Sequence, residues 1–244
     1  MLPQTPRTVP AGHRLYAIGD IHGCADLLAD LLASIAADAR SRDAAQNRLV
    51  YLGDYVDRGP DSAGVIDLVL DGAPPGFSVV ALMGNHEEMM HRFMTGELSL
   101  GRTWMINGGD ATLGSYGVDP PGYTDESAIY RRARSDLVSR IPVRHHDFLK
   151  KLVLTHACGD YFFVHAGVRP GVPLAQQHQE DLLWIREEFL DSEEDFEKRI
   201  VHGHSIAPRP IIHGNRIGID TGAYLSGTLT ALVLEGAEWR LLQT

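Results

Sequence analysis

The sequence lacks the features of a membrane protein and of a disulfide-rich protein. Its two cysteines, Cys24 and Cys158, are too few for a disulfide framework, so a reducing cytoplasmic compartment is expected. No apolar run reaches the length of about 18 residues that a membrane span needs. The Pro-containing residues 1–13 have no apolar core of a secretory signal. We expect a cytoplasmic protein with an N-terminal tail at 1–13 and a single domain at 14–244.

Positive charge is also scarce, and lysine is its rarest source. The chain has 22 Lys and Arg against 32 Asp and Glu, which gives a formal net charge of −10. This excess repels polyanions at long range, so broad binding of nucleic acid is not expected. Only three of the bases are lysines, so arginine dominates any phosphate-binding surface. Buried aspartates would need a neutralising cation, which a metal ion could supply.

Short apolar runs alternate with helical patterns in the first third of the chain. Strands are predicted at 15–18, 49–52 and 77–82. Helices are predicted over 26–39 and from Ser62, which is expected to cap the second helix. This β–α–β–α–β order is typical of a parallel sheet covered by helices.

The rest of the chain is predicted to add an insertion and a second set of strands. Residues 94–149 are rich in Gly, Arg and polar residues and are interpreted as a helical insertion or cap. A hairpin is predicted from 151–154 and 161–164, followed by a helix around 182–185. The C-terminal strands are predicted at 199–202, 210–213, 216–219, 228–234 and 239–242. Two packed sheets with helices outside would hold all of these segments, so the predicted class is α/β, in the α+β sense.

Metal-competent side chains recur where the predicted strands end. They lie in five segments: GDIHG at 19–23, GDYVDRG at 53–59, GNHE at 84–87, VHAG at 164–167 and VHGH at 201–204. Open α/β sheets place their ligands at the carboxyl ends of strands, and glycine allows tight turns beside an ion. Carboxylate, amide oxygen and imidazole suit Mn, Fe or Zn, whereas a thiolate cage would need more cysteines.

Each segment alone is more simply explained as a turn or a structural histidine. Five of them in order at strand ends favour a metal site, because turns have no reason to select Asp, Asn and His repeatedly.

Together with Asp220-Thr221-Gly222, these motifs resemble the phosphoprotein phosphatase (PPP) branch of the calcineurin-like metallophosphoesterases. The resemblance spans residues 16–234. The Trp-x-Arg segment at Trp184 to Arg186 is similar to the bacterial and phage lambda-type serine/threonine phosphatases. The resemblance implies a bacterial hydrolase with a four-layer β-sandwich of mixed sheets flanked by helices.

The resemblance also implies a role for each site residue. The implied metal ligands are Asp20, His22, Asp54, Asn85, His165 and His204. Asp54 would bridge two divalent ions, with Mn favoured over Fe, Zn, Ni or Co. His86 is the implied general acid and Asp57 orients it. Arg58, Arg186 and Asn85 would bind the phosphoryl oxygens. Hydroxide bridged between the metals would attack in line, with no phosphoenzyme intermediate.

Three functions remain open. A serine/threonine protein phosphatase, with phosphotyrosine as a further candidate substrate, is favoured by the intact Asp57-Arg58-Gly59 and the Trp-x-Arg segment. A diadenosine polyphosphate or nucleotide pyrophosphohydrolase is the alternative, because bacterial relatives divide between these activities; the symmetrical enzymes tend to depart from Asp-Arg-Gly. A non-catalytic binding module is the remote alternative, since no ligand or acid is missing.

The expected partner is a phosphoprotein or a small phosphorylated substrate, with no nucleic acid, no membrane and no regulatory subunit. Several neighbours of the motifs are given structural roles. Glu87 and Glu88 are expected as acids in a first helical turn, and His145 and His146 on a helix surface. Trp184 is expected to be a packing anchor for Arg186.

Overall fold

The computed structural model describes residues 7–122 and 126–244, which form two five-stranded sheets. The first sheet contains β1 (His13–Ile18), β2 (Gln46–Tyr51), β3 (Ser78–Ala81), β9 (Thr230–Glu235) and β10 (Glu238–Gln243), in the order β10-β9-β1-β2-β3. The second contains β4 (Thr155–Cys158), β5 (Tyr161–Val164), β6 (Arg199–His202), β7 (Ile211–Ile212) and β8 (Arg216–Gly218), in the order β4-β5-β6-β8-β7. Each sheet contains three neighbouring parallel strands (β1-β2-β3 and β5-β6-β8). In the first sheet they end at the edge strand β3, and the antiparallel-paired strands β9 and β10 lie beyond β1; in the second sheet one antiparallel strand lies on each side.

The helices are mostly short. They are α1 (Ala25–Arg40), α2 (Ser62–Asp71), α3 (Asn85–Thr95), α4 (Gly101–Trp104), α5 (Asp110–Ser115), α6 (Ser127–Arg140), α7 (Val143–Lys151), α8 (Gln179–Trp184), α9 (Glu187–Leu190) and α10 (Ala223–Ser226). Within the described residues, no helix combines the length and apolar character that a membrane span requires.

The alternation of side chains along β1 shows why the sheets pack in layers. Tyr16 and Ile18 belong to the apolar cluster under α1 and α2, whereas Leu15 and Ala17 belong to the cluster between the two sheets. Successive side chains of a strand point to opposite faces, so a strand buried on both faces is apolar throughout. A third cluster, which includes Phe189 of α9, covers the outer face of the second sheet. The mixed, helix-flanked β-sandwich predicted from the sequence is therefore confirmed.

Short helices make up most of the described part of residues 94–149. A 3-10 turn at Leu98–Leu100 leads into α4, a π-helical turn at Met105–Gly109 joins α4 to α5, and α6 and α7 follow. Trp104 and Leu113 are fully buried in the same apolar cluster as α1. This segment therefore packs against the helices of the first sheet.

Two local predictions are wrong. The strand predicted at 151–154 does not form: α7 continues to Lys151, Val153 makes only an isolated bridge with Leu82, and β4 begins at Thr155. Ser62 is the first residue of α2 and not its cap. Asp61 caps the helix by accepting a hydrogen bond of 2.8 Å from the Gly64 N–H.

Candidate metal centre

The loops after β1, β2 and β6 hold their side chains with unusual backbone conformations. Among the described residues, six that are not glycine have positive φ, and five of them lie in these loops. These five are His22 (φ 46°), Asp54 (51°), Asp57 (72°), Arg58 (68°) and His204 (61°). Left-handed backbone is costly for residues with a side chain and concentrates at functional sites. The fold therefore contains local backbone strain in the loops that bring these side chains together.

Two compact groups of possible ligands share one carboxylate. His22, Asp54 and His86 offer donor atoms within 4.8 Å of one another, and so do Asp54, His165 and His204. All five side chains are buried. The two oxygens of Asp54 divide between the groups: Oδ2 lies 3.4 Å from His22 Nε2, and Oδ1 lies 3.5 Å from His165 Nε2. This is the arrangement that a bridging carboxylate requires.

The tautomers of two histidines fit a metal ion. His22 Nδ1–H donates to the Val56 carbonyl at 2.8 Å, and His165 Nδ1–H donates to the Leu52 carbonyl at 2.9 Å. Each Nε2 is therefore left with a lone pair. The Nε2 of His165 faces the oxygens of Asp54 and Asn85, the latter at 2.9 Å, and these contacts repel unless a cation lies between them. Burial lowers the pKa of His165, so a metal ion fits this position better than a proton.

Two buried atoms without a hydrogen-bond partner point to the same place. They are Asp20 Oδ1 and His204 Nε2, two of the four such atoms in the described part of the chain. Asp20 Oδ2 accepts a hydrogen bond from the His204 N–H at 2.9 Å, so the two residues are neighbours. Burial, with the charge of His165, lowers the pKa of His204 to about 2, which keeps its ring neutral. Buried polar atoms are rarely left unpaired, and cation binding would satisfy both.

The buried carboxylates require positive charge. Burial and the charges of Asp220 and Asp54 hold the pKa of Asp20 well above its usual range. Burial also acts to raise the pKa of Asp54, but His165, His86 and His22 outweigh it and hold that pKa well below its usual range. Divalent cations between these groups would remove the repulsion that burial imposes. The donor set therefore fits the dinuclear centre expected from the sequence.

His86 lies beside the shared carboxylate and is backed by a second one. Its Nδ1 is 2.6 Å from Asp57 Oδ2, and its Nε2 is 3.9 Å from Asp54 Oδ2. Burial acts to lower the pKa of His86, but Asp54 and Asp57 outweigh it and raise that pKa. The ring is thus fixed with Nε2 toward the centre and is able to carry a proton there.

The two arginines named from the sequence lie one at each ligand group. Arg58 Nη1 is 2.9 Å from His22 Nε2, and its guanidinium carbon is 4.9 Å from the centre of the Tyr224 ring. Arg186 Nη1 donates to the His204 carbonyl at 3.1 Å and to Ser205 Oγ at 3.3 Å. A phosphoryl group held at the centre would have a guanidinium within reach at each group.

Glu87 has a role that the sequence interpretation missed. Its buried carboxylate accepts hydrogen bonds from four backbone N–H groups: Asp54 at 2.9 Å, Tyr55 at 2.8 Å, Val56 at 3.2 Å and Gly84 at 3.0 Å. Glu87 is the third residue of α3, the capping-box position, and this signal could have predicted the bond to Gly84. The bonds to the loop after β2 could not be read from local sequence. Glu87 fixes the loop that carries Asp54.

Two further expectations, for a histidine and a tryptophan, can be compared with the structure. His145 is buried, so its predicted surface position is wrong; Tyr116 Oη and Asp67 Oδ1 hold its two nitrogens at 2.9 and 3.0 Å. Trp184 is 39% exposed and donates to Glu88 Oε2 at 2.9 Å, so a hydrogen bond to α3 holds its ring; its packing against Arg186 stays a prediction. His202 is buried against the Phe189 ring at 5.0 Å, and burial lowers its pKa to about 4.

Comparisons with known proteins indicate a phosphoesterase. The calcineurin-like phosphoesterase family model matches residues 13–225. Serine/threonine-protein phosphatase 1 of Salmonella typhimurium is 29% identical over 221 residues, which cover 88% of this chain and 89% of the relative. The asymmetrical bis(5'-nucleosyl)-tetraphosphatase PrpE of Halalkalibacterium halodurans is 30% identical over 230 residues, covering 88% and 87%. A crystal structure provisionally assigned as a diadenosine tetraphosphatase has a TM-score of 0.61 at 22% identity, covers 98% of both chains and supports the fold.

Proposed function

The chain belongs to the calcineurin-like phosphoesterase family and is a metal-dependent phosphoesterase, and from that premise we propose that it is a bacterial serine/threonine protein phosphatase. The proposal includes Mn as the metal, a reducing cytoplasmic setting consistent with the two free cysteines, and a role for each site residue. The proposed ligands are Asp20, His22, Asp54, Asn85, His165 and His204.

When bound, a pair of divalent ions supplies Lewis-acid polarisation of the phosphoryl oxygens and a hydroxide nucleophile near neutral pH. The side chains supply the rest. Arg58 and Arg186 bind the phosphoryl oxygens and orient the group. Asp57 holds the His86 ring through Nδ1–H. His86 Nε2–H gives its proton to the leaving oxygen of the serine or threonine, which would otherwise depart as an unstable alkoxide.

The cavity beside Arg186 favours a protein substrate. A cavity of about 550 Å³ opens beside Arg186 and Trp184. It is lined by four carboxylates: Glu180, Asp181, Glu187 and Glu188. Arg169, the other guanidinium in its wall, is already paired with Asp181 and Glu188 at 3.0 and 2.8 Å. The further phosphates of a polyphosphate chain would be repelled by the carboxylates of this cavity, whereas a peptide with a single phosphoryl group would bring no further phosphate into it.

The test is the turnover of a phosphoserine peptide and of diadenosine tetraphosphate by the same Mn-loaded preparation. We expect kcat/KM to be at least about tenfold higher for the peptide, which corresponds to about 1.4 kcal/mol in the barrier. The variant Glu180→Gln/Glu187→Gln should raise dinucleotide turnover and leave p-nitrophenyl phosphate turnover unchanged. Faster cleavage of the dinucleotide by the unmodified protein would overturn the substrate assignment.

Hydrolysis of dinucleoside polyphosphates is the second candidate. The similarity to the PrpE tetraphosphatase, at 30% identity and over the same share of the chain, favours it. Both candidate reactions would use the same metal centre. They differ in the part of the substrate that extends past Arg186. If it holds, removing the cavity carboxylates should slow the reaction or leave it unchanged, because the cavity would then be built for the nucleotide.

A further inference from the structure

The carboxylate of Asp57 receives hydrogen bonds from the helical insertion as well as from His86. Trp104 Nε1–H, at the end of α4, donates to both oxygens, at 3.1 Å to Oδ1 and 2.9 Å to Oδ2. The Thr112 hydroxyl, in α5, donates to Oδ1 at 2.6 Å. Trp104, Thr112 and Asp57 are all fully buried. Asp57 is therefore held by Trp104 and Thr112, which lie 47 and 55 positions further along the chain.

The donors and acceptors around Thr112 form a closed set. Its oxygen accepts from the Asp57 N–H at 2.8 Å and lies 3.0 Å from Ser62 Oγ, whose hydroxyl is the donor because the Thr112 proton goes to Asp57. Ser62 Oγ also lies 3.1 Å from the Asp57 N–H. Both the backbone and the carboxylate of Asp57 are thus fixed by the same hydroxyl. A buried network in which every member is satisfied fixes one arrangement of its side chains.

The position of the Trp104 ring is set by close packing. A Cβ at Gly109 would lie 2.6 Å from the ring, so only glycine lets the backbone approach it. The Phe93 ring packs against it at 4.9 Å between centroids. Nearby, the Gly108 carbonyl accepts from the Arg58 N–H at 3.1 Å. The segment 104–112 therefore contacts both Asp57 and the neighbouring arginine.

We propose that Trp104 and Thr112 are positioning residues for the general acid: they orient Asp57, and Asp57 in turn orients His86. This inference rests on the proposed role of His86 and assigns a catalytic purpose to the insertion. With Trp104 on both oxygens and Thr112 on Oδ1, the plane of the carboxylate is fixed. Oδ2 therefore points at His86 Nδ1, and the opposite nitrogen of the ring points at the centre. Without either donor the carboxylate could rotate, and His86 Nε2 would no longer be directed at the centre.

The test compares two small substrates that differ in leaving group and need no knowledge of the natural substrate. Phenyl phosphate needs an acid to protonate its leaving oxygen, whereas p-nitrophenyl phosphate hardly does. In Trp104→Phe, kcat for phenyl phosphate should fall about tenfold and kcat for p-nitrophenyl phosphate less than about twofold. KM and bound Mn should not change. Thr112→Val should behave in the same way, and Thr112→Ser should restore the rate.

Phe93→Leu is the matched control, because it disturbs the packing around the same indole without removing a hydrogen bond. It should lower both rates equally or not at all. A double-mutant cycle with Asp57→Asn supplies the second measurement: Trp104→Phe should have almost no further effect on the phenyl phosphate rate in that background.

Additive losses in the cycle would overturn the proposal, as would equal losses for both substrates or loss of Mn from Trp104→Phe. Failure of the proposed function gives a different result. If His86→Asn itself shows no dependence on the leaving group, the general-acid assignment is wrong, and the positioning role falls with it.

Discussion

Glu87 Oε2 accepts a hydrogen bond of 2.9 Å from the backbone N–H of Asp54, so the shared carboxylate of the centre is positioned by an acid at the start of α3. In Glu87→Gln the amide end has one acceptor fewer, and at least one backbone N–H is left unpaired in the interior. The free energy of unfolding should fall by about 2–3 kcal/mol. Affinity for Mn should also fall, because the loop that carries Asp54 is released.

Urea unfolding and titration calorimetry measure these two effects. Glu97→Gln is the control: Glu97 lies after α3, is exposed and pairs with the exposed Arg92 at 2.8 Å. Exposed pairs contribute little, so this change should barely alter the free energy of unfolding and should leave Mn binding unaltered. Equal effects of the two substitutions would refute the proposed role of Glu87.

His86 is tested by the dependence of rate on the leaving group. In His86→Asn, kcat for phenyl phosphate should fall about 100-fold, because the leaving oxygen loses its proton donor. The loss for p-nitrophenyl phosphate should be much smaller, and Mn content should be preserved. Steady-state kinetics with metal analysis measures all three quantities. His146→Asn, outside the ligand groups, should match the unmodified protein; a uniform loss in His86→Asn would contradict the acid role.

The lowered pKa of Asp38 predicts how the free energy of unfolding changes in acid. Burial acts to raise its pKa, but hydrogen bonds from Arg240, Tyr16 and Arg42 outweigh it and lower the pKa to about 2. The folded pKa is below the unfolded value of about 3.9, so the contribution to stability is full above that value. It is lost as pH falls toward 2, when the carboxyl becomes protonated.

Asp38→Asn should therefore lower the free energy of unfolding near neutral pH and flatten its decline below pH of about 4. Urea unfolding between pH 7 and 3 measures both. Asp26→Asn, in the first turn of α1, is a matched change on the same helix. A decline in Asp38→Asn as steep as that of the unmodified protein would show that Asp38 is not the titrating group.

The central strands and the site loops could be predicted because their signals are local. Tyr16 and Leu49 lie in apolar runs that end on Gly-Asp, and parallel strands bring such ends to one edge. The position of β4 was misplaced because Leu152 and Val153 form an apolar run that continues neither α7 nor a strand. Val153 makes only an isolated bridge with Leu82.

The supports of the site could not be predicted, because they depend on contacts between distant segments. Nothing in the residues around Trp104 shows that its indole N–H meets Asp57. His145 has the exposed pattern of a helix surface in sequence, and only the positions of Tyr116 and Asp67 make its burial possible. The motifs predict which side chains form the site, whereas the residues that position those side chains are determined by tertiary packing.

The proposed dinuclear centre shares the Asp54 carboxylate between two ions, and electron paramagnetic resonance of Mn-loaded protein, combined with metal analysis, detects such sharing. The unmodified protein should bind about two Mn ions per chain and give the spectrum of an exchange-coupled pair. Asp54→Asn should lose that coupled signal and most of the metal. A spectrum of isolated ions in the unmodified protein, or an unchanged coupled signal in Asp54→Asn, would rule out a centre bridged by Asp54.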